Sequence, residues 1–256
     1  MAKVSFTTAL QNEYQTLFDT CQVNPAKRSE VDRLATRLLA SRGRYQEVGD
    51  DLGIPWQVIA VIHTLECAQD FNLHLHNGDP LTARTVRVPK GRPADGEPPF
   101  DWAESAADAL RLRKLPQWDD WSVAGMLYCL EGYNGWGYRL YHPDVKSPYL
   151  WGNSNHYSSG KYVKDGTWSA SAVSAQCGAA TLLRRLAEKG AAVDEPARSA
   201  QFAYAPTKVT PRGAELQRFL NGFTGIYLRE DGKLGEKTSS AFHQVFGHYL
   251  QGDPRA

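Results

Sequence analysis

Residues 54–93 read IPWQVIAVIHTLECAQDFNLHLHNGDPLTARTVRVPKGRP, and this stretch decides the predicted fold. Its first part is apolar at most positions between Trp56 and Leu65, so apolar side chains would cover most of the circumference of a helix. A helix that is apolar nearly all round is buried. Pro55 suits the first turn of such a helix, because an N–H there would have no helical partner. We therefore predict a buried helix with one carboxylate, Glu66, at its end.

The pattern changes after Phe71 to short pieces that resemble strands. The sequence Asn-Gly-Asp-Pro at 77–80 is a strong turn signal. The residues that follow it favour a strand: Thr82, Thr85, Val86 and Val88. The prediction is a small β-hairpin lobe beside Glu66. A carboxyl group half-buried in apolar surroundings has a raised pKa. A glycosidase needs such a group as its general acid.

The overall composition is that of an ordinary globular protein. Of the 256 residues, 42% are hydrophobic and 22% are charged, with a formal net charge of +1. This charge gives no electrostatic argument for nucleic acid or membrane surfaces. The 7 Trp and 12 Tyr residues suit a cleft that stacks on carbohydrate, and they equally suit an ordinary core. The first residues contain no continuous apolar segment, so we expect no Sec signal peptide.

Periodicity divides the chain into a large helical part and a small second part. Helices are predicted at 5–21, 24–41, 45–52, 54–66, 100–115, 118–131 and 170–189. Residues 138–167 are predicted to be a long loop, polar and rich in aromatic side chains. The sequence predicts a first domain at 1–190, a linker rich in Ala and Pro at 191–212, and a second domain at 213–256.

A glycosidase normally uses a second carboxylate as base or nucleophile. Asp79, thirteen positions after Glu66 and in the predicted turn, is the best candidate. It is equally well explained as a turn residue, since Asp is common in turns for conformational reasons. Asp70 and Glu131 are weaker candidates.

Other polar residues near Glu66 have two interpretations each. Thr82 and Thr85 could hold a water or a sugar hydroxyl, or simply be strand residues. The pair His74 and His76 would share one face of a strand, but no third ligand has a clear spacing. We therefore expect histidines that line a cleft and no metal site. His63, one turn before Glu66, is either a core histidine with its hydrogen bonds satisfied or a residue that orients Glu66.

The order of these features resembles the lysozyme-like superfamily. The features are Glu66 at the end of a buried helix, a hairpin next, and a later helix ending in Tyr133-Asn134-Gly135. Goose-type lysozymes and lytic transglycosylases share this arrangement. The strings HLHNGDPLTARTVRVPKGRP and SPYLWGNSNHYSSGKYVKDGTW are similar to those of phage-type endolysins and related muramidases. The resemblance covers roughly residues 45–190.

The resemblance implies a mainly α fold, specifically an α+β lysozyme-like domain with a small β-hairpin lobe. It implies cleavage of the β-1,4 bond between N-acetylmuramic acid and N-acetylglucosamine, with Glu66 as acid and Asp79 as base or nucleophile. Lytic transglycosylases dispense with the second carboxylate, because the 6-hydroxyl of the substrate attacks instead. The residues expected to hold the glycan are His76, Thr82, Thr85, Tyr133, Asn134, Tyr149, Trp151, Asn155 and Tyr157.

The C-terminal part resembles a peptidoglycan-binding domain of three short helices. Leu216-Gln217-x-x-Leu220 is followed by a segment beginning Asp231-Gly232, and together they match LQxxL and DGxxGxxTxxA. Thr238 is expected to cap or begin the last helix. A longer, aromatic first loop at 221–229 departs from the pattern. The alternative is a helical module used for protein contact.

The sequence therefore predicts a muramidase with no cofactor, acting as a monomer on peptidoglycan glycan strands, without nucleic acid or membrane insertion. We expect release from the cytoplasm to the wall by a holin-type or other non-Sec route. Three alternatives stay open: a lytic transglycosylase with anhydro-muramyl products, a glycosidase acting on chitin or chitosan, and a wall-binding protein without catalysis.

Overall fold

A computed structural model describes residues 4–164, 166–191, 193, 202–210 and 212–255. The chain divides into two compact units, residues 1–197 and 198–256. The first unit holds α1 (Thr8–Asp19), α2 (Arg28–Ala40), α3 (Arg42–Leu52), α4 (Trp56–Cys67), α5 (Trp102–Leu112), α6 (Val123–Asn134), α7 (Gly137–Tyr141), α8 (Pro148–Trp151), β1 (Lys161–Lys164), β2 (Thr167–Ser169) and α9 (Ala179–Glu188). The second holds α10 (Gly213–Leu220) and α11 (Glu236–Phe246). The prediction of a mainly helical protein is confirmed.

Helix α4 is the centre of the first unit, as the sequence predicts. Every residue of α4 except Glu66 is buried. The helix packs against α3, α6 and α9, so apolar side chains are covered on all sides. Ala68 closes it in the left-handed conformation, with φ of 50°, and the chain turns away immediately after Glu66 and Cys67. Glu66 is thereby held on a rigid, buried element.

The prediction of a β-hairpin after α4 is wrong. Within residues 71–93 a single antiparallel bridge joins Leu73 and Pro80, and no strand forms at 82–88. The backbone N–H groups of Val86 and Arg87 are donated to the Asp79 carboxylate, and Thr85 pairs with Arg92 through its own backbone N–H at 2.9 Å. Because side chains and local carbonyls take these donors, few are left for a strand ladder.

The two-stranded antiparallel sheet is formed by β1, which lies in the segment predicted as a loop at 138–167, and by β2, which begins at the last residue of that segment. Tyr162 of β1 lies opposite Trp168 of β2. The rings of both side chains also contact Tyr138 of α7, with centroids 5.4 and 5.7 Å away. Aromatic packing therefore orders a stretch whose polarity suggested an irregular loop. Helices α7 and α8 lie in the same stretch.

Two helices begin five or more residues later than predicted, and the structure shows a reason for each. Helix α9 was predicted from 170 but begins at Ala179, because the chain before it passes directly over α8. A Cβ atom at Gly178 would lie 2.2 Å from the Leu150 carbonyl oxygen. Helix α6 was predicted from 118 but begins at Val123, where the Ser122 hydroxyl accepts the Gly125 N–H at 3.2 Å and caps it.

The second unit has its own core, built on Leu216, Leu220, Leu234 and other apolar side chains. The buried Gln217 side chain joins α10 to the turn at 231–233. It accepts the Gly232 N–H at 2.8 Å and donates to the Lys233 carbonyl at 3.0 Å. The described residues of this unit hold two helices, so the prediction of three is wrong. Thr238 is not a cap, since Gly235 precedes the first turn of α11 and the Thr238 hydroxyl contacts Gln217.

Residues at both ends of the linker predicted at 191–212 pack on the two cores. Ala191 and Val193 belong to the core of the first unit. Phe202 and Tyr204 pack on the core of the second unit, because the Tyr204 N–H is donated to the Gln251 carbonyl at 2.9 Å. The middle of the predicted linker, 194–201, lies outside the described residues. Over the part of the chain that is described, no helix has the length and apolar character to cross a membrane.

Candidate functional site

Glu66 is the one residue of α4 that reaches solvent. Part of its side chain stays exposed, but the protein atoms around the carboxyl group remove much of its hydration. This desolvation raises the pKa of Glu66, while the Tyr149 hydrogen bond and the positive charge of Arg113 oppose the rise. Tyr149 donates its hydroxyl to Glu66 Oε1 at 3.1 Å. The site thus holds a carboxyl group whose protonated form is favoured relative to that of a free Glu.

A cavity of about 480 Å³ lies beside Tyr149. Its lining combines aromatic rings, side-chain amides and glycine backbone: Asn134, Gly135, Gly137, Tyr138, Pro148, Tyr149, Lys161, Tyr162, Gly166, Ser174 and Gln176. Gln176 also donates its Nε2 to the Leu65 carbonyl at 2.7 Å, which ties the cavity wall to the residue just before Glu66. Rings and amides are the groups that stack on sugars and bond to their hydroxyls.

Tyr133 and Asn134 end α6 on the same side of the unit as Glu66. The negative charge of Glu66 contributes to a raised pKa of the Tyr133 hydroxyl, after the larger effect of burial. The guanidinium carbon of Arg113 lies 4.8 Å from the centroid of the Tyr133 ring. One face of that ring is therefore covered. The exposed Asn134 lines the cavity. Tyr133, Asn134 and Tyr149 are the predicted glycan contacts that the structure brings together with Glu66.

Asp79 is 4% exposed. Oδ2 accepts the backbone N–H groups of Val86 and Arg87 at 2.8 and 3.0 Å, and Oδ1 accepts Arg87 Nε at 2.6 Å. Burial opposes ionisation of this group, yet the hydrogen bonds from Arg87 and Val86 lower its pKa to about 2. Its oxygens are thus committed to a local loop. This supports the conformational role, and a catalytic role for Asp79 stays a prediction.

The weaker carboxylate candidates are also held by neighbours. Asp70 Oδ1 accepts the backbone N–H of Asn72 at 2.9 Å and its Nδ2 at 2.8 Å. Glu131 is 3% exposed and lies within α6. It accepts the Tyr14 hydroxyl and pairs with Arg139 at 2.9 Å. Neither contacts Glu66 in the described hydrogen bonds.

The three histidines near α4 each have separate partners. His63 is fully buried, with Nδ1 3.0 Å from the Tyr45 hydroxyl and Nε2 3.1 Å from the Asp70 carbonyl. Burial lowers its pKa to about 4, so it is a neutral core histidine. His74 contacts Ser105 and the Ala83 carbonyl. His76 Nε2 lies 2.7 Å from Asp108, and a glycan contact by His76 stays a prediction.

Within the described ranges, no group of three His, Cys, Asp or Glu residues is arranged to hold a metal ion. The two threonines expected in the site differ from each other. Thr82 is exposed, and no hydrogen bond ties it to Glu66. Thr85 is 3% exposed, and its hydroxyl accepts the Arg92 N–H at 2.9 Å. Thr85 therefore stabilises the loop after Asp79, and its side chain is not free to hold a sugar or a water.

Three further predicted glycan contacts lie away from Glu66. Trp151 is 2% exposed and part of the core, so it presents no surface to a ligand. Asn155 accepts the Gln22 N–H at 2.8 Å and lines a different cavity, of about 430 Å³. The Tyr157 hydroxyl accepts the Ser174 N–H at 3.0 Å, and Tyr157 lines a third cavity, of about 330 Å³.

Arg113, Lys161 and Gln176 are site residues that the sequence reasoning missed. Arg113 and Gln176 fell inside predicted helices, and Lys161 inside the predicted loop. Their importance comes from contacts with residues far away in the chain, which no local pattern reveals. Arg113 is the C-cap residue of α5, and Lys114 after it takes the left-handed conformation, with φ of 61°.

Comparisons of the chain with protein-family models, with curated proteins and with solved structures found no match.

Proposed function

We propose that the first unit is a peptidoglycan-cleaving glycosidase with a lysozyme-like arrangement, in which Glu66 is the general acid. One observation carries the proposal: Glu66 is the single exposed residue of a buried helix, its carboxyl group has a raised pKa, and it accepts a hydrogen bond from Tyr149, which lines a cavity of rings and amides. The protein atoms around this carboxyl group remove part of its hydration although the side chain reaches solvent. Perturbed carboxyl groups next to a cavity are typical of catalytic acids.

The proposed reaction begins at the β-1,4 bond after N-acetylmuramic acid. Protonated Glu66 gives its proton to the leaving glycosidic oxygen as the bond to the anomeric carbon breaks, and an oxocarbenium-like transition state forms. Negative charge then develops on Glu66. The Tyr149 hydroxyl, 3.1 Å from Oε1, donates a hydrogen bond that stabilises this charge. The Tyr149 hydrogen bond therefore stabilises the transition state more than it stabilises the protonated Glu66 of the free enzyme.

The second stage needs an attacking oxygen and a group to take its proton. Because the Asp79 oxygens are occupied by Val86 and Arg87, the favoured base is the Glu66 carboxylate left by the first stage. It would take the proton from a water, which gives hydrolysis, or from the 6-hydroxyl of the muramic acid, which closes an anhydro ring. The occupied Asp79 favours the second outcome, that of a lytic transglycosylase, because the 6-hydroxyl is held in place by the sugar itself, whereas glycosidases that hydrolyse the bond normally use a second carboxylate.

The second unit is proposed to bind the glycan of the cell wall. The proposal rests on the sequence resemblance and on the role the structure gives to the matching residues. Leu216 and Leu220 form the core, and Gln217 holds the turn at Asp231-Gly232. A wall-binding module attached to the enzyme would raise the local concentration of substrate.

Mass spectrometry of purified sacculi digested by the full-length protein tests the reaction. Anhydro-muramyl ends identify a lytic transglycosylase, and reducing muramic acid ends identify a muramidase. A parallel digestion of chitin and chitosan oligosaccharides tests whether the enzyme accepts those polymers. If no glycan of any of these kinds is cleaved, the alternative of a wall-binding protein without catalysis replaces the proposal.

A further inference from the structure

Arg113 is a cation beside the candidate acid, and no salt bridge to a described Asp or Glu neutralises it. Two other arginines, one in the last turn of α5 and one in the loop after Asp79, are paired: Arg111 contacts Asp51 at 2.6 Å, and Arg87 contacts Asp79 at 2.6 Å. Arg113 is near enough to Glu66 to affect its ionisation, and near enough to Tyr133 to stack on it. A cation without an ion-pair partner next to a general acid is available to bind an anionic group of the substrate.

The guanidinium of Arg113 is fixed from two sides. Its backbone closes α5, where the N–H is donated to the Ala109 and Arg111 carbonyls. Its guanidinium carbon lies 4.8 Å from the centroid of the Tyr133 ring, so that the ring supports the cation from one side. A hydrogen bond from Arg113 to the Tyr133 hydroxyl opposes the rise in the pKa of Tyr133, so part of the guanidinium is engaged by this side chain. A guanidinium has five N–H donors, so others remain for a carboxylate.

The cavity beside Tyr149 has the same charge preference. Among the described residues that line it, none is acidic and Lys161 is the one ionic side chain; Asp165, next to Gly166, lies outside the described residues. Like Arg113, Lys161 makes no salt bridge within the described residues. The surface around Glu66 thus presents positive charge on the Tyr133 side and on the cavity side. These two cations would attract an anionic glycan strand, and they would give a neutral strand no electrostatic attraction.

Resting on the proposed function, we infer that Arg113 forms an anion-binding subsite that takes a carboxylate of the peptide-bearing sugar, with Lys161 as a second cation in the cavity. Muramic acid residues carry such carboxylates, on the lactyl group when it is bare and on the stem peptide when it is substituted. Chitin has none. The subsite therefore selects anionic glycan strands over neutral ones.

The subsite also supports the acid role of Glu66. The positive charge of Arg113 favours the ionised form of Glu66 in the free protein. A substrate carboxylate bound to Arg113 would cancel that charge, so Glu66 would hold its proton more firmly when substrate is present. Tyr133 and Tyr149, the other ionisable groups close to Glu66, stay neutral at physiological pH because burial raises their pKa.

A matched pair of substrates tests the inference. Soluble glycan strands with intact stem peptides are compared with the same strands after their carboxylates have been converted to methylamides. We expect Arg113→Gln to lower kcat/KM on the native strands by about tenfold, the lower end for a charge-assisted bond at an exposed site. The loss should fall mainly on KM, with little change on the amidated strands. Arg113→Lys should restore part of the difference.

Arg111→Gln serves as the matched control, because Arg111 lies two residues before Arg113, in the last turn of α5, and is already paired with Asp51. It should behave as wild type on both substrates. An equal loss on both substrates in Arg113→Gln, or no loss on either, overturns the inference. If the wild type cleaves both forms of the strand equally well, the inference fails while the proposed function stands. If it cleaves neither, the proposed function itself fails.

Discussion

Asp79→Asn separates the two roles that this carboxylate could have. In the structure Asp79 accepts two backbone N–H groups and the Arg87 Nε. Asn keeps one carbonyl oxygen, which can still accept the two backbone donors. Its amino group cannot accept from Arg87, and the charge on the acceptor is lost. The substitution should therefore weaken the loop at 79–92 without dismantling it.

The expected loss of stability follows from these contacts. Arg87 is 63% exposed in its side chain, so solvent screens the ion pair, which contributes about 0–1 kcal/mol. Loss of charge assistance on the two part-buried backbone bonds adds about 1 kcal/mol. The total of roughly 1–2 kcal/mol corresponds to a Tm lower by about 2–8 °C for a unit of this size. The change in specific activity should stay within about threefold, against 10²–10⁴-fold for a lost base.

Urea unfolding and sacculus digestion on the same preparation measure both effects. The folded-state pKa of Asp79 is lowered from 3.8 to about 2, so its ionised form stabilises the fold above pH 3.8. That contribution disappears as pH falls through about 2, and the stability difference from Asp79→Asn should shrink over the same range. Asp101→Ala, which removes the cap of α5, is a control of similar cost without a site role. A variant as stable as wild type but more than a hundredfold less active would refute the reasoning.

Two further predictions concern the acid and the second unit. Tyr149→Phe removes a hydrogen bond that favours ionised Glu66, so the pKa of Glu66 should rise and the alkaline limb of kcat/KM should move to higher pH, with a lower maximum rate. Tyr141→Phe, at a 72% exposed position, should leave the profile unchanged, and a limb that moved to lower pH in Tyr149→Phe would contradict the assignment. Deletion of residues 198–256 should leave a folded first unit, because the two units have separate cores, and should lower co-sedimentation with sacculi while sparing short soluble fragments. Equal pelleting of both forms would mean that the second unit is no wall anchor.

The helical framework could be predicted because its signals are local. The segment that became α4 is apolar on every face, which leaves burial as the only stable solution. The stripes of α1, α2 and α5 gave their positions to within a few residues. In the second unit, Leu216 and Leu220 were placed in the core by their spacing alone.

The errors arose where long-range contacts override local preference. Thr85 and Val86 favour a strand by residue type, but Asp79 and Arg92 take their backbone partners. Tyr162 lies in a strand within the predicted loop, and Trp168 lies in the partner strand just after that loop; α7 gives both rings a surface to pack on.

The candidate site shows the same division. Glu66 and Tyr149 could both be named from the sequence, but not the hydrogen bond that joins them across 83 positions. Trp151 carries the same sequence signal as Tyr149, and both side chains are buried in the core. Tyr149 differs because its hydroxyl reaches Glu66 and its side chain lines the cavity, which the sequence of α8 alone does not specify.

The activity of Glu66→Gln on purified sacculi, measured against wild type, tests directly whether Glu66 is the general acid. Glu104→Gln, an exposed glutamate on α5, is the matched control. Glu66→Gln should also unfold no earlier than wild type at pH 7. The folded-state pKa of Glu66 is raised above 4.5, so its ionisation at higher pH opposes folding, and a neutral Gln avoids this. We expect the Glu66→Gln variant to fold and to release soluble muropeptides 10²–10⁴-fold more slowly than wild type. Release within tenfold of wild type by the folded variant would contradict it and place the acid elsewhere.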